Sequence, residues 1–344
     1  MRAVQLVAWQ QPAEVREIPR PAPGAGEVLL RVRAAGLCHS DLHLMHWPEG
    51  SVPYQLPFTL GHEVVGTVEE LGDGADGIEI GETVLVYGPW GCGRCARCSL
   101  GEEHLCERRD LRNGTGCGIG RNGGLAEYLV LPSPRLSVPI GDLDPVSAAP
   151  LADAGLTPYH AVKRALREVP PGSNAVVIGI GGLGHVAVQL LRALSGCSIV
   201  AIDRREDALD AALKAGADVA LQAEGLTAQK VRDAAGGRGA ALVMDFVGVD
   251  ATLELAAGCV TAGGHLAIIG VGGGTLPFRF GVIPFETSAV FSNWGTRAEL
   301  AEVVELARAG HVNIEVERVA LDEVPAAYER LEAGNVRGRV VAVP

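Results

Sequence analysis

NAVVIGIGGLGHVAVQLLRALSGCSIVAID, residues 174–203, runs from an apolar stretch through a glycine-rich turn into a second periodic stretch and out into another apolar run. Residues 174–179 have the length and composition of a strand buried on both faces, while residues 182–194 carry apolar positions at helical spacing. SIVAIDRR, residues 198–205, repeats the strand pattern. Between the first strand and the helix, Gly179, Gly181 and Gly184 stand in a G-x-G-x-x-G register, with Gly182 and Leu183 completing the turn. The first glycine permits a tight turn and the second lets backbone approach a pyrophosphate. The third lets the helix pack closely on the strand, and the helix N-terminus faces the negative charge. Asp203 ends the second strand, nineteen residues beyond Gly184, where such a motif needs an acid. The segment reads as a dinucleotide site.

Asp203 can accept hydrogen bonds from both adenosine ribose hydroxyls and would repel a 2′-phosphate, which favours NAD over NADP. Arg204 and Arg205 follow directly and could serve a phosphate. Outward from this unit the alternation continues: helix at 205–217, strand at 217–222, helix at 227–236, strand at 241–248, helix at 250–260 and strand at 264–273. Strands alternating with helices imply right-handed crossovers and a parallel sheet covered on both faces. The first ~150 residues differ. They are rich in Gly and Pro and contain short apolar runs such as EVLLRVRAAG, VVGTVEELG and GETVLVYG, the texture of an irregular, mostly β domain. After about Asn293 come a helix-like stretch at 297–312, a short strand at 314–319, a helix-like stretch at 322–334 and a final strand at 338–344.

The 344-residue chain is long enough for two domains. Its net charge of −12 without basic runs argues against partners such as nucleic acid or an anionic membrane surface. The N-terminus lacks a basic region followed by a long apolar one, so no signal peptide is expected. Val169–Leu191 and Leu255–Phe278 carry no formal charge but are cut by glycines and prolines, which fits buried strands and turns rather than a lipid-facing helix. A cytoplasmic enzyme or binding protein is expected.

GCGRCARCSLGEEHLC, residues 91–106, holds four of the eight cysteines: Cys92, Cys95, Cys98 and Cys106. In a reducing compartment this spacing favours metal over disulfides. Four thiolates around Zn²⁺ close a tetrahedral shell with no open position, so the lobe (about 88–110) is expected to hold structural zinc and do no chemistry. A redox pair needs only one C-x-x-C and leaves two thiols unexplained. Upstream, AAGLCHSDLH supplies Cys38, His39, Ser40, Asp41 and His43, and LGHEVVG supplies His62 and Glu63. Catalytic zinc takes three protein ligands and keeps a fourth position open; Cys38 and His62 offer two.

With GLCHSD, GHE, the four-cysteine lobe, the glycine-rich turn and the terminal GRVV in this order, the chain resembles the zinc-dependent medium-chain alcohol dehydrogenases from end to end. The resemblance implies an α/β protein: a GroES-like, mostly-β catalytic domain (1–153 and 293–344) and a Rossmann, doubly wound parallel-sheet NAD-binding domain (154–292) between its two parts. It also implies a homodimer or homotetramer. Much of the family takes its third catalytic ligand from a cysteine just before the nucleotide domain. Here that segment reads PLADAGLTPYHA, and Asp153 stands in the matching place, as in a bacterial branch of the family. Cys38⁻, Asp153⁻ and neutral His62 would cancel Zn²⁺, as two thiolates would; alternatively Asp153 is only a helix cap.

By the same resemblance, Ser40 accepts the proton of an alcohol bound at the zinc, His43 receives it through the cofactor ribose, and hydride passes from the alkoxide carbon to nicotinamide. Asp41 would orient His62, and Glu63 would stand beside the metal. His39 and Arg339 would contact the pyrophosphate. Thr157, Val247, Gly270 and Val271 are further expected cofactor contacts. Tyr54 and Trp294 are expected pocket walls, because aromatics commonly line apolar sites. Cys117, Cys197 and Cys259 read as packed thiols. The expected activity is alcohol–carbonyl interconversion with NAD, secondary alcohols ahead of primary. A zinc-less quinone or enoyl reductase of the same fold, or a silent NAD-binding protein, are the alternatives; zinc content separates them.

Overall fold

Val28–Gly36 is the strand on which the first part of the chain is assembled. Its central residues alternate, with Arg31 and Arg33 exposed between buried Leu30, Val32 and Ala34, as a sheet with one solvated face requires. In the computed structural model, which describes residues 1–108 and 114–344, Val28–Gly36 pairs antiparallel with Glu63–Leu71 along its length. Its other edge is shared. Val28–Arg31 pair with Tyr128–Leu131, and Ala35 and Gly36 pair with Ala342 and Val341 of the C-terminal strand Arg339–Val343. The sheet runs Ser137–Pro139, Thr83–Val86, Glu63–Leu71, Val28–Gly36, Arg339–Val343, Val316–Ala320. The strand Arg339–Val343 is thus stitched to Val28–Gly36, and the Leu37 N–H donating to the Val340 carbonyl continues that pairing to the residue before Cys38. Residues 109 and 110, the far edge of the expected zinc lobe, lie outside the described residues.

The chain divides into two compact units: Met1–Asp153 with Gly295–Ala309 and Asn313–Pro344, and Ala154–Trp294 with Gly310–Val312. The second unit is a six-stranded, wholly parallel sheet in the order Val219–Gln222, Ser198–Asp203, Asn174–Ile178, Ala240–Asp245, Val260–Ile268, Ser288–Phe291. The order reverses at Asn174–Ile178, so the glycine-rich turn at its carboxyl end sits at the topological switch point where such sheets bind ligands. Val176, Ile178, Val200, Ile202, Val243 and Leu266 form the buried centre of one face.

The elements read from sequence are present with shifts at their ends. The strand expected from 264 begins at Val260, and the helix expected over 297–312 closes at Arg308. Among the elements without a counterpart in the sequence reading are the strands Arg2–Leu6 and Tyr128–Leu131 of the first unit, the helix Leu156–Ala165, masked by Pro158, and the four-residue strand Ser288–Phe291, too short for a period to register.

Two glycines of the turn differ in what surrounds them. A Cβ on Gly184 would lie 1.9 Å from the Gly179 carbonyl oxygen, whereas a Cβ on Gly181 would meet nothing within 4 Å. Gly184→Ala should therefore cost about 1–3 kcal/mol of stability, as overpacking does. Gly181→Ala should stay within about 0.5 kcal/mol of the parent, as substitutions clear of packed neighbours do. Urea denaturation of the two variants checks this; equal stabilities would contradict the packing assigned to Gly184.

Candidate active site and metal centres

Cys38 lies two residues beyond the end of the strand Val28–Gly36 and immediately precedes the helix His39–His46. Its backbone is extended, and its N–H donates to Asp41 Oδ2 at 3.0 Å, which caps the helix start. His62 precedes the strand Glu63–Leu71, and the register that sets Gly36 opposite Glu63 brings His62 to Cys38. Asp153 ends the 3₁₀ stretch Ala149–Ala152. The three donors, all buried, lie within 4.8 Å of one another. Cys38 Sγ is 3.5 Å and His62 Nε2 3.7 Å from Asp153 Oδ2. Tetrahedral Zn²⁺ with ordinary bond lengths needs donor separations of about 3.4–3.6 Å between S or N and O, so the residues fit the ion.

The electrostatics ask for a cation. His62 is fully buried, and burial alone would lower its pKa. Asp41, with hydrogen bonds to Asp153 and Cys38, outweighs that and holds the imidazole well above its ordinary value. His62 Nδ1 faces Asp41 Oδ1 at 3.4 Å, which leaves Nε2 toward Cys38 and Asp153. A carboxylate behind a ligating histidine fixes its tautomer and raises its basicity. Glu63, also buried, is pushed up to about 7 by burial against the opposing pull of Arg339. Arg339 hydrogen-bonds Glu63 and is held in its charged form by Glu63, Cys38 and Asp153 although burial opposes this. Gly36 makes the arrangement possible: a Cβ there would lie 2.0 Å from Glu63 Oε2.

In the cysteine lobe, Cys92 Sγ and Cys98 Sγ are 4.0 Å apart, as are Cys95 Sγ and Cys106 Sγ. Zn–S bonds of 2.3 Å give a tetrahedral edge of about 3.8 Å. A backbone N–H from Cys98 lowers the Cys95 thiol to about 6, while burial pushes Cys98 up to about 12. Gly91 leaves room for the Cys98 sulfur, and Arg135 ties the lobe by bonding Glu103 and the Gly91 carbonyl.

In the second unit, Gly179 takes φ +86, and Asp203 Oδ2 reaches back to accept the Ile180 N–H at 2.7 Å. The open space above Gly181 and the acid bound to the turn are what a dinucleotide pyrophosphate and ribose require. Val247 and Gly270 are packed backbone to backbone, and Gly270 and Val271 line a cavity of about 330 Å³ with Gly248 and Phe291.

Residues 24–142 match the alcohol dehydrogenase GroES-like domain, and residues 182–309 match the zinc-binding dehydrogenase domain. The NAD-dependent alcohol dehydrogenase of Sulfurisphaera tokodaii is 36% identical over 355 positions covering 100% of both chains. The alcohol dehydrogenase from Aeropyrum pernix superposes with a TM-score of 0.91 at 36% identity, over 100% of both chains. The acetophenone reductase from Geotrichum candidum, in complex with NAD, gives 0.88 at 32%, covering 100% of this chain and 97% of that one. The chain belongs to the zinc-binding alcohol dehydrogenase family.

The dehydrogenase carries both metal-ligand clusters: Cys38, His62 and Asp153 for the catalytic zinc, and Cys92, Cys95, Cys98 and Cys106 for the structural one. Ser40 and His43 lie on one face of the helix His39–His46, with Ser40 Oγ 3.7 Å from Cys38 Sγ. His39, at the first helical position, is exposed. Arg339 is 4% exposed and turned to Glu63. Thr157 is buried on the helix Leu156–Ala165, and Arg204 is exposed. Tyr54 stands edge-on to Phe58, its ring lying over Gly120. Trp294 takes φ +50 at the end of its segment. Cys117, Cys197 and Cys259 are buried. Sequence reading missed Tyr328, whose hydroxyl reaches Asp41 from the far end of the chain; no local motif marks it.

Metal analysis should find two zinc ions per chain, and Cys98→Ser should lower this to one. Burial holds Cys117 and Cys259 up at about 12. Iodoacetamide at pH 8 should therefore leave both unmodified in the native holoenzyme, with peptide mass mapping as the readout; rapid labelling of Cys117 would contradict its burial.

Proposed function

We propose that the chain oxidises alcohols to carbonyl compounds, and reduces them in reverse, with NAD as the hydride carrier and with secondary alcohols preferred to primary. The observation that carries the reading is the buried cluster of Cys38, His62 and Asp153, which offers three donors and leaves a fourth position for substrate. The division of labour follows the chain: residues 1–153 and 293–344 hold the zinc ions, and 154–292 the dinucleotide. Zinc held by Cys38, His62 and Asp153 supplies Lewis acidity that lowers the pKa of an alcohol hydroxyl, and the nicotinamide supplies the hydride acceptor.

The protein's own groups manage charge and protons. Cys38 and Asp153 together neutralise a dication, so burying the ion leaves no net charge. Asp41 holds the Nδ1 proton of His62. Ser40 Oγ takes the substrate proton, and His43, one turn further along the same helix, releases it to solvent. Burial, and then the charge of His46, lower the His43 pKa below the ordinary 6.5, so its ring stays neutral and able to accept a proton near neutral pH. Asp203 accepts the ribose hydroxyls, and NAD is preferred to NADP on that account; Gly181 leaves the pyrophosphate space. The acetophenone reductase among the similar structures acts, by its name, on a ketone, which supports the secondary-alcohol preference. We assign the protein to a reducing cytoplasm: five of its eight cysteines fall in the two metal-ligand clusters, and Cys117, Cys197 and Cys259 are free and buried. Among the described residues no helix is long and apolar enough to cross a membrane.

We also assign a homo-oligomer, dimer or tetramer. Four of the six phenylalanines, Phe278, Phe280, Phe285 and Phe291, are exposed within one fourteen-residue stretch of the second unit. Phe280 and Phe285 pack ring to ring, 5.8 Å between centroids, while both stay exposed, and large exposed apolar groups that cluster favour association. Light scattering that returned a monomer at micromolar concentration would contradict this.

Initial rates of NADH formation with 2-butanol and 1-butanol at matched concentration test the activity: 2-butanol should be faster, and a faster 1-butanol would reverse the substrate assignment. Ser40→Ala should lower kcat by about 10²–10⁴-fold, the usual contribution of a positioned proton acceptor. The rate limited by proton release should fall with decreasing pH only below 6.5, where His43 becomes protonated, and His43→Gln should abolish that inflection.

A further inference from the structure

Tyr328 lies on the helix Val324–Glu332, close to the end of the chain, and is 4% exposed. Its hydroxyl donates to Asp41 Oδ2 at 2.9 Å, a contact across 287 residues of sequence. Asp41 is fully buried, and the same Oδ2 also accepts the Cys38 N–H at 3.0 Å. Two donors thus converge on one carboxylate oxygen from different directions. The terminal torsion of an aspartate is broad when nothing fixes it. With Oδ2 pinned from both sides, Oδ1 is left facing His62 Nδ1 at 3.4 Å. Burial and the adjacent carboxylate raise the phenol well above its ordinary pKa, so it keeps its proton and acts only as a donor.

We propose that Tyr328 is a positioning residue for the catalytic metal: it fixes the rotamer of Asp41, and through Asp41 the tautomer and direction of His62, and so sets the affinity of the Cys38–His62–Asp153 centre. The inference rests on the reading of those three residues as a zinc site. It adds a link behind Asp41, and it makes the C-terminal helix part of the metal centre's support. Outer partners of metal ligands typically change metal affinity 10–100-fold when removed, because a misdirected imidazole loses both its alignment and its basicity.

The test uses the full-length holoenzyme and zinc release to a chromophoric chelator, with the cysteine lobe as internal control. Tyr328→Phe keeps the ring and removes only the hydroxyl. It should speed loss of the catalytic zinc by about 10-fold while leaving release from the four-cysteine site unchanged. The cobalt-substituted variant should show a shifted visible absorption. Asp41→Asn should give an effect at least as large, and the double variant should release no faster than Asp41→Asn alone, because Tyr328 acts through Asp41. If Tyr328→Phe does not fold, Tyr328→Met removes the hydroxyl with a side chain that adapts to its surroundings and carries the same expectation. Wild-type release and an unchanged cobalt spectrum in the Tyr328 variant would overturn the proposal, as would multiplicative effects in the double variant. A wild-type protein that holds only the cysteine-bound zinc would instead overturn the reading of the catalytic centre.

Discussion

The structure is organised by one constraint: ionisable groups placed where water cannot reach them must answer one another. Around Cys38 the first unit buries Asp41, Glu63, Asp153, His62 and Arg339. A carboxylate in such surroundings is costly unless paired or hydrogen-bonded. Arg339 answers Glu63, and Tyr328 with the Cys38 backbone answers Asp41. What remains is Cys38, Asp153 and the inner nitrogen of His62. In the protein alone the Cys38 thiol hydrogen-bonds Asp153, and a divalent cation would take all three donors directly. The metal is thus the last term in a balance that the fold has otherwise closed.

The sheet geometry follows from that need. At the cross-strand pair of Gly36 and Glu63 a side chain on the first partner would collide with the carboxylate of the second. A glycine there lets the acid lie across the strand toward Arg339. Arg339 in turn arrives because the terminal strand pairs with Ala35 and Gly36 instead of extending the Tyr128–Leu131 pairing. The second unit shows the same economy around a different ligand. Its glycines are those whose absent side chains leave space or permit contact, and Asp203 is bound to the turn by the Ile180 N–H.

Much of this was legible in the sequence because it rests on local patterns. Four cysteines at short spacing, a glycine register between a strand and a helix, and apolar runs of strand length each declare themselves within about twenty residues. The parallel sheet of the second unit followed from alternation alone. What stayed hidden rests on distance along the chain. Nothing near Tyr328 announces that its hydroxyl meets Asp41, and nothing near Arg339 that it turns inward to Glu63. Spacing alone could not supply Asp153 as a ligand; it required the family resemblance, and the ligand cluster now includes it. The helix Leu156–Ala165 was obscured by Pro158, which is tolerated in the first turn where its missing N–H is not needed. The strand Ser288–Phe291 is stabilised by pairing with Val260–Ile268, a tertiary effect that no four-residue window can reveal.

The stitching of the terminal strand to Val28–Gly36 has a consequence for how the protein comes into being. Cys38, His62 and Asp153 belong to the first half of the chain and emerge early in synthesis, which proceeds from the N-terminus. Arg339 and Tyr328 are among the last seventeen residues. The nascent protein therefore possesses the ligands before it possesses the groups that balance and aim them. Maturation of the centre therefore waits for the segment that carries Tyr328 and Arg339, and a chain cut before that segment would strand a metal site whose ligands are all intact.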